Sequence, residues 1–177
     1  MVAAGTTVTA AEVGVLAGIT ATATEINRAC DTSGKVVTVT SATLTVTEAL
    51  HDGKLIVLSK ADGITVTLPN ATGSGAVYTF LVGVSVTSVG DIIKVARGAD
   101  VMYGVILGAD DTATPAARVW KTAADATSDT VTMDGSTRGG VIGDRLIIVD
   151  IAANKYTVHG TLNQSGTEAT PFSATVS

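Results

Sequence analysis

Cysteine, aromatic residues and long apolar runs are all scarce in this sequence. Cys30 is the only cysteine, which excludes an intrachain disulfide and a zinc site built from several cysteines, and fits synthesis in a reducing cytoplasm. Aromatic residues make up 3% of the chain, which disfavours a carbohydrate-binding β-sandwich because sugar sites usually rely on aromatic stacking. No run of about 20 apolar residues occurs, so we expect no membrane-spanning helix. No export signal is expected either, because the N-terminal residues lack a basic region followed by an apolar one.

Charged residues are also few. They make up 15% of the chain, the net charge is −5, and the lysines and arginines are scattered singly. Direct binding to nucleic acid is therefore not expected. Hydrophobic residues make up 46%, and so little polar surface suggests that other subunits cover part of the protein. We expect an oligomer.

The longest uncharged stretch, Gly63 to Gly90, is predicted to form the centre of a β domain. Ile64, Val66 and Leu68 alternate with threonine, and a second alternating run follows from Val77 to Val86. This period of two places one side of each strand on a core, and in the second run we expect Leu81 to be a core residue. The turn residues from Pro69 to Gly75 predict that the two runs pair as a hairpin.

Strand and turn signals recur from Lys35 to Gly160 and predict a mainly β fold, a single antiparallel β-sandwich or barrel-like domain over residues 35–162. The last predicted hairpin joins residues 145–151 to residues 155–160 through a turn at residues 152–154. Residues 163–177 are polar and predict an extended C-terminal tail that lies over the surface or is partly disordered.

Residues 1–34 predict an N-terminal arm with two short helices. Thr9 and Thr22 are each followed three residues later by glutamate, the spacing of a capping box. Helices of about eight residues are marginally stable alone, so the arm must pack against its own β domain, a neighbouring subunit or a larger assembly. Its larger apolar side chains, the candidate interface residues, are Val13, Leu16 and Ile26.

No residue set predicts catalysis or a cofactor. His51, Asp52 and Ser74 are the nearest to a hydrolytic set, but Ser74 lacks the G-x-S-x-G spacing and a following helix that would supply oxyanion donors. His159 is expected to be a partly exposed strand residue.

Two further groups of residues could in principle bind ions. Asp100, Asp110 and Asp111 are acidic and near one another in sequence, but no calcium-binding loop motif surrounds them. The segment from Arg138 to Gly140 could hold an anion with its N–H groups, but it has neither a following helix nor a lysine partner. We therefore expect loop carboxylates and turn glycines, with no metal.

Three segments resemble structural proteins of tailed-bacteriophage virions. TAAEVGVLAGITATATEINRACD resembles the T-A-x-E-h-N segments of tail-fibre and capsid-associated proteins. ITVTLPNATGSGAVYTFLVG resembles their T-V-T-L-P-x-A-x-x-x-G-x-x-Y-T-F element. GDRLIIVDIAANKYTVHG is similar to a hairpin that ends many such β modules, with Tyr156 where tryptophan is commoner.

This resemblance implies a non-enzymatic virion protein. The short chain favours a capsid decoration, or cement, protein over a fibre with a long repeated shaft. Such a protein would be made in the host cytoplasm and would sit on the capsid exterior as a homotrimer, with the major capsid protein as its partner and without nucleic acid or membrane. A tail-fibre or spike module that binds a host receptor is the alternative.

Overall fold

The structure, a computed structural model, describes residues 20, 22, 26, 34–123 and 127–176. The chain divides into two units, Met1–Gly34 and Lys35–Ser177. In the first unit the N–H of Ile26 donates to the carbonyl of Thr22 at 3.0 Å, the spacing of a helical turn. The predicted first helix, with Val13 and Leu16, and the remainder of the second helix lie outside the described residues.

The described part of the second unit contains twelve strands and one short helix. They are β1 Val36–Val39, β2 Thr43–Thr45, α1 Glu48–His51, β3 Leu55–Leu58, β4 Thr65–Thr67, β5 Val77–Val82, β6 Asp91–Lys94, β7 Val101–Ala109, β8 Ala117–Lys121, β9 Thr130–Met133, β10 Arg145–Ala152, β11 Lys155–Asn163 and β12 Phe172–Ser173. Valine, isoleucine and threonine dominate these segments because β-branched side chains fit a pleated, half-buried surface.

The first six strands alternate between two sheets. β1, β3 and β5 pair in parallel in the first sheet, while β2, β4 and β6 pair in parallel in the second. The chain therefore crosses from one sheet to the other after each of these strands. Each pair of successive strands, one in each sheet, forms one coil, and each coil lies beside the previous one. Antiparallel strands then extend both sheets, β10 beside β5 and β9 beside β6.

The complete strand orders are β1-β3-β5-β10-β11-β7-β8 in the first sheet and β12-β9-β6-β4-β2 in the second. One core cluster contains buried side chains of both sheets, among them Phe80 and Leu146 of the first and Val66 and Ile93 of the second. The arrangement is sandwich-like, and the prediction of a mainly β domain is confirmed. The antiparallel part of that prediction requires correction, because β1-β3, β3-β5, β2-β4, β4-β6 and β7-β11 are parallel.

The predicted hairpin between β4 and β5 is wrong. Leu68 ends one run and Ala76 precedes the next, but the segment between them carries the chain from the second sheet to the first, so β4 and β5 do not pair. The prediction that Leu81 is a core residue is also wrong, because the neighbouring Phe80 faces the core at 1% exposure, whereas Leu81 is half-buried on the opposite side of the sheet. The hairpin of β10 and β11 is confirmed, with Asn154 at φ 64° in its turn.

The C-terminal residues contribute to the second sheet. Phe172 and Ser173 form β12 against β9, and the side chain of Phe172 is 8% exposed. The carboxylate of Asp129 accepts hydrogen bonds from the N–H groups of Thr175 at 2.8 Å and Val176 at 3.1 Å. Residues 163–176 are thus attached to the β domain by both strand pairing and a buried carboxylate.

Candidate interaction surface

The three residues nearest to a hydrolytic set each have other partners. The Nδ1 atom of His51 lies 3.0 Å from the backbone N and O of Thr47. Asp52 accepts a hydrogen bond from the N–H of Val77 at 2.8 Å, and the hydroxyl of Ser74 donates to Asp150 at 3.2 Å. The contacts of His51 and Asp52 stabilise α1 and the connection that follows it. Ser74 has a carboxylate as its hydrogen-bond partner, where a hydrolase would need a histidine base.

The acidic residues considered for calcium also have protein partners. Asp110 accepts from the hydroxyl of Thr112 at 2.7 Å and from the N–H of Ala116 at 3.1 Å, and these bonds lower its pKa. Asp100 is fully buried and pairs with Arg97 at 3.1 Å. Within the described ranges no three acidic, histidine or cysteine side chains lie close enough to hold a metal ion.

The N–H groups of the segment from Arg138 to Gly140 are likewise used internally. Asp134 accepts from the N–H of Arg138 at 2.9 Å and from its guanidinium at 3.2 Å. Asp144 accepts from the N–H of Gly140 at 2.8 Å. The protein's own carboxylates therefore occupy the positions where an external anion would bind.

Asp144 and Asp150 are structural anchors that the sequence analysis did not single out. Asp144 holds two distant segments, accepting from the N–H groups of Gly140 and Val141 and from the backbone and side chain of Asn163. Asp150 accepts from the N–H groups of Thr72 at 2.9 Å and Gly73 at 2.7 Å. Aspartate is uncommon within strands, so Asp150 between apolar neighbours in the sequence was the available signal.

Asp91 differs from these anchors because one carboxylate oxygen is unpaired. Its side chain is fully buried, Oδ1 accepts from the N–H of Ile64 at 2.8 Å, and Oδ2 has no partner among the described residues. Burial raises the pKa of Asp91 to about 6, against the smaller lowering effect of the Ile64 hydrogen bond. The folded protein therefore binds this proton more tightly than the unfolded chain does.

We expect the proton on Asp91 to make the protein more stable as the pH falls through 6. Because the pKa of Asp91 is higher in the folded state than in the unfolded state, its contribution to the free energy of unfolding is smallest above pH 6 and grows as the pH falls towards the unfolded pKa. Between pH 7.5 and pH 5 this gain is about 1 to 1.5 kcal/mol. Asp91→Asn should remove this gain. Urea unfolding at both pH values measures it, with Asp111→Asn on the surface as the control. An unchanged pH dependence in Asp91→Asn would contradict the assignment.

The side of the seven-stranded sheet that faces away from the core is largely apolar. We call it the outer face; its side chains alternate with the core residues along each strand. Leu107 is 47% exposed and Val119 is 65% exposed, and they pair across β7 and β8. The other members of the outer face include Val36, Thr38, Leu55, Val57, Val77, Thr79, Leu81, Val101, Tyr103, Val105, Lys121, Arg145, Ile147, Val149, Lys155, Thr157, His159 and Thr161. His159 lies there as an exposed strand residue, as predicted.

Three shallow depressions follow one another across the outer face. The largest, about 380 Å³, lies over β1, β3, β5 and the start of β10. A second of about 290 Å³ shares Arg145 with it and extends to β11. A third of about 240 Å³ lies between β11, β7 and β8. Together they form a wide surface with apolar side chains, which is typical of a face that contacts another protein.

Comparison with protein-family models, curated proteins and solved structures found no match to this chain. Within the part of the chain that the structure describes, no helix is long and apolar enough to cross a membrane.

Proposed function

We propose that this protein is a non-enzymatic structural component of a tailed-bacteriophage virion, a decoration protein that binds the outside of the capsid as an oligomer. The observation that carries the proposal is the outer face, where Val105, Leu107 and Val119 expose apolar side chains on a sheet of seven strands. Burying such a face in an assembly is favourable by about 25 cal/mol per Å² of apolar surface. The three resembling sequence segments indicate which kind of assembly.

The internal use of polar groups supports a structural role. The aspartates at positions 134, 144 and 150 accept hydrogen bonds from loop N–H groups of their own chain. These bonds hold the loops in defined conformations, and they occupy carboxylate oxygens that could otherwise bind a ligand. A rigid module with an apolar face suits a protein that reinforces a shell, because preorganised surfaces lose little entropy on binding.

The proposed partners are further copies of the chain, as a homotrimer, and the major capsid protein, and the proposed location is the capsid exterior. Several weak contacts per oligomer would act together, because binding of the first subunit makes binding of the others effectively intramolecular. The arm residues Val13, Leu16 and Ile26 stay a predicted second contact. No nucleic acid or membrane takes part in this proposal.

Co-sedimentation with undecorated phage heads tests the proposal. We expect the purified protein to pellet with heads and to appear on their surface in negative-stain images. A double variant of the outer face, Leu107→Asp with Val119→Asp, should remain folded, because both side chains are substantially exposed, but should lose head binding. Val89→Asp, which changes a side chain that is 82% exposed and belongs to neither sheet, is the control. Labelling of tails would favour the fibre or spike module, and binding to neither structure would contradict the proposal.

A further inference from the structure

The depression of about 380 Å³ over β1, β3, β5 and the start of β10 concentrates positive charge in an acidic protein. We call it the basic groove; Lys35, Lys54 and Arg145 surround an apolar floor that includes Val36, Leu55 and Leu81. None of the described residues that line it is acidic. The chain as a whole has a net charge of −5, so the charge of this groove is opposite in sign to that of the whole protein.

The cations of the basic groove have no carboxylate partners among the described residues. Four other described basic side chains have one: Lys60 pairs with Asp62 at 2.6 Å, Arg97 with Asp100 at 3.1 Å, Arg118 with Glu168 at 3.4 Å and Arg138 with Asp134 at 3.2 Å. Lys94, Lys121 and Lys155 resemble the groove cations in forming no such pair with a described residue, but they do not line the groove. Three unpaired cations around an apolar floor are complementary to a ligand that carries both carboxylates and apolar groups.

We propose that the basic groove binds an extended acidic segment of a partner protein, which lies across β1, β3, β5 and the start of β10. The carboxylates of the segment would pair with Lys35, Lys54 and Arg145, and its apolar side chains would lie on Leu55 and Leu81. The inference rests on the charge and the apolar floor of the groove, so it holds whether or not the protein is a virion component.

The test is fluorescence anisotropy with the full-length protein and a fluorescein-labelled peptide of alternating aspartate and valine. We expect saturable binding that weakens as salt is raised, because the pairs lie at the surface. Arg145→Glu and Lys54→Glu should each weaken binding about tenfold or more. Lys155→Glu, the same charge change at an exposed position of β11 outside the groove, should change it less than about twofold. A matched peptide of lysine and valine should not bind.

Other occupants give different results, and each overturns the proposal. Full competition by citrate at equal carboxylate concentration would indicate a small anion as the ligand. Tighter binding of a single-stranded oligonucleotide than of the acidic peptide would indicate a nucleic acid. A loss of self-association in Arg145→Glu, measured by light scattering, would indicate that a second copy of the chain occupies the groove. Equal effects of Lys155→Glu and Arg145→Glu would show that only net charge matters.

Discussion

Replacing Phe80 by alanine is expected to lower the free energy of unfolding by about 3 to 5 kcal/mol. Phe80 is 1% exposed and belongs to the core cluster. It lies in β5 between β3 and β10, opposite Ile56 and Leu146. Removing its ring leaves a cavity that strands paired on both sides cannot close by moving. Urea unfolding followed by circular dichroism measures the loss.

Leu81→Ala is the matched control for Phe80→Ala. Leu81 is the next residue in the same strand, but its half-buried side chain lies on the outer face. Its truncation removes apolar surface without creating an internal cavity, so we expect a loss of about 1 kcal/mol or less. Equal losses for the two variants would mean that the outer face is as well packed as the core, which would contradict an exposed interaction surface.

Replacing Asp150 by alanine is expected to cost about 2 to 4 kcal/mol, because hydrogen bonds to a charged acceptor are among the stronger ones. The carboxylate accepts from three consecutive N–H groups, those of Thr72, Gly73 and Ser74, and from the hydroxyls of Thr72 and Ser74. Gly73, at φ 84° and with Ala152 close to where a Cβ would lie, lets the backbone wrap around the carboxylate. Without Asp150 the crossing from β4 to β5 loses this shared acceptor.

The loss in Asp150→Ala should shrink in acid. Burial by itself raises the pKa of Asp150, but the hydrogen bonds from Thr72, Gly73 and Ser74 outweigh it and hold the pKa below its usual value. The stabilisation is therefore complete above the unfolded pKa and disappears as the pH falls through the folded one. Unfolding at pH 7 and at successively lower pH measures this. Ser74→Ala should cost about 1 kcal/mol or less, and a pH-independent loss in Asp150→Ala would contradict an ionised anchor.

Local patterns were sufficient to locate most strands of the β domain. The alternation at Ile64, Val66 and Leu68 correctly placed those side chains in the core, because the period of two is set by backbone geometry alone. The hairpin of β10 and β11 was also predictable, since a short turn between two alternating runs favours their antiparallel pairing. The short helices of the arm were predicted from capping residues, and of these the structure describes only Thr22 and Ile26 of the second.

Residues far apart in sequence decided the remaining features. In β5 both Phe80 and Leu81 are apolar, so alternation did not show which of them faces the core; packing against the second sheet did. The turn residues between β4 and β5 predicted that the chain changes direction there. They did not predict the sheet in which it continues, because parallel and antiparallel strands have the same local pattern.

The sequence by itself determined a mainly β chain with few charges and one cysteine, because composition is read directly from the sequence and short-range periodicity is a property of neighbouring residues. Only the tertiary structure decided the parallel coils, the anchoring of residues 72–74 by Asp150, and the meeting of Lys35, Lys54 and Arg145 at one groove. Asp150 and Thr72 are 78 positions apart, and Lys54 and Arg145 are farther apart still. Strand pairing and burial brought them together, and no local pattern encodes which distant strands will become neighbours.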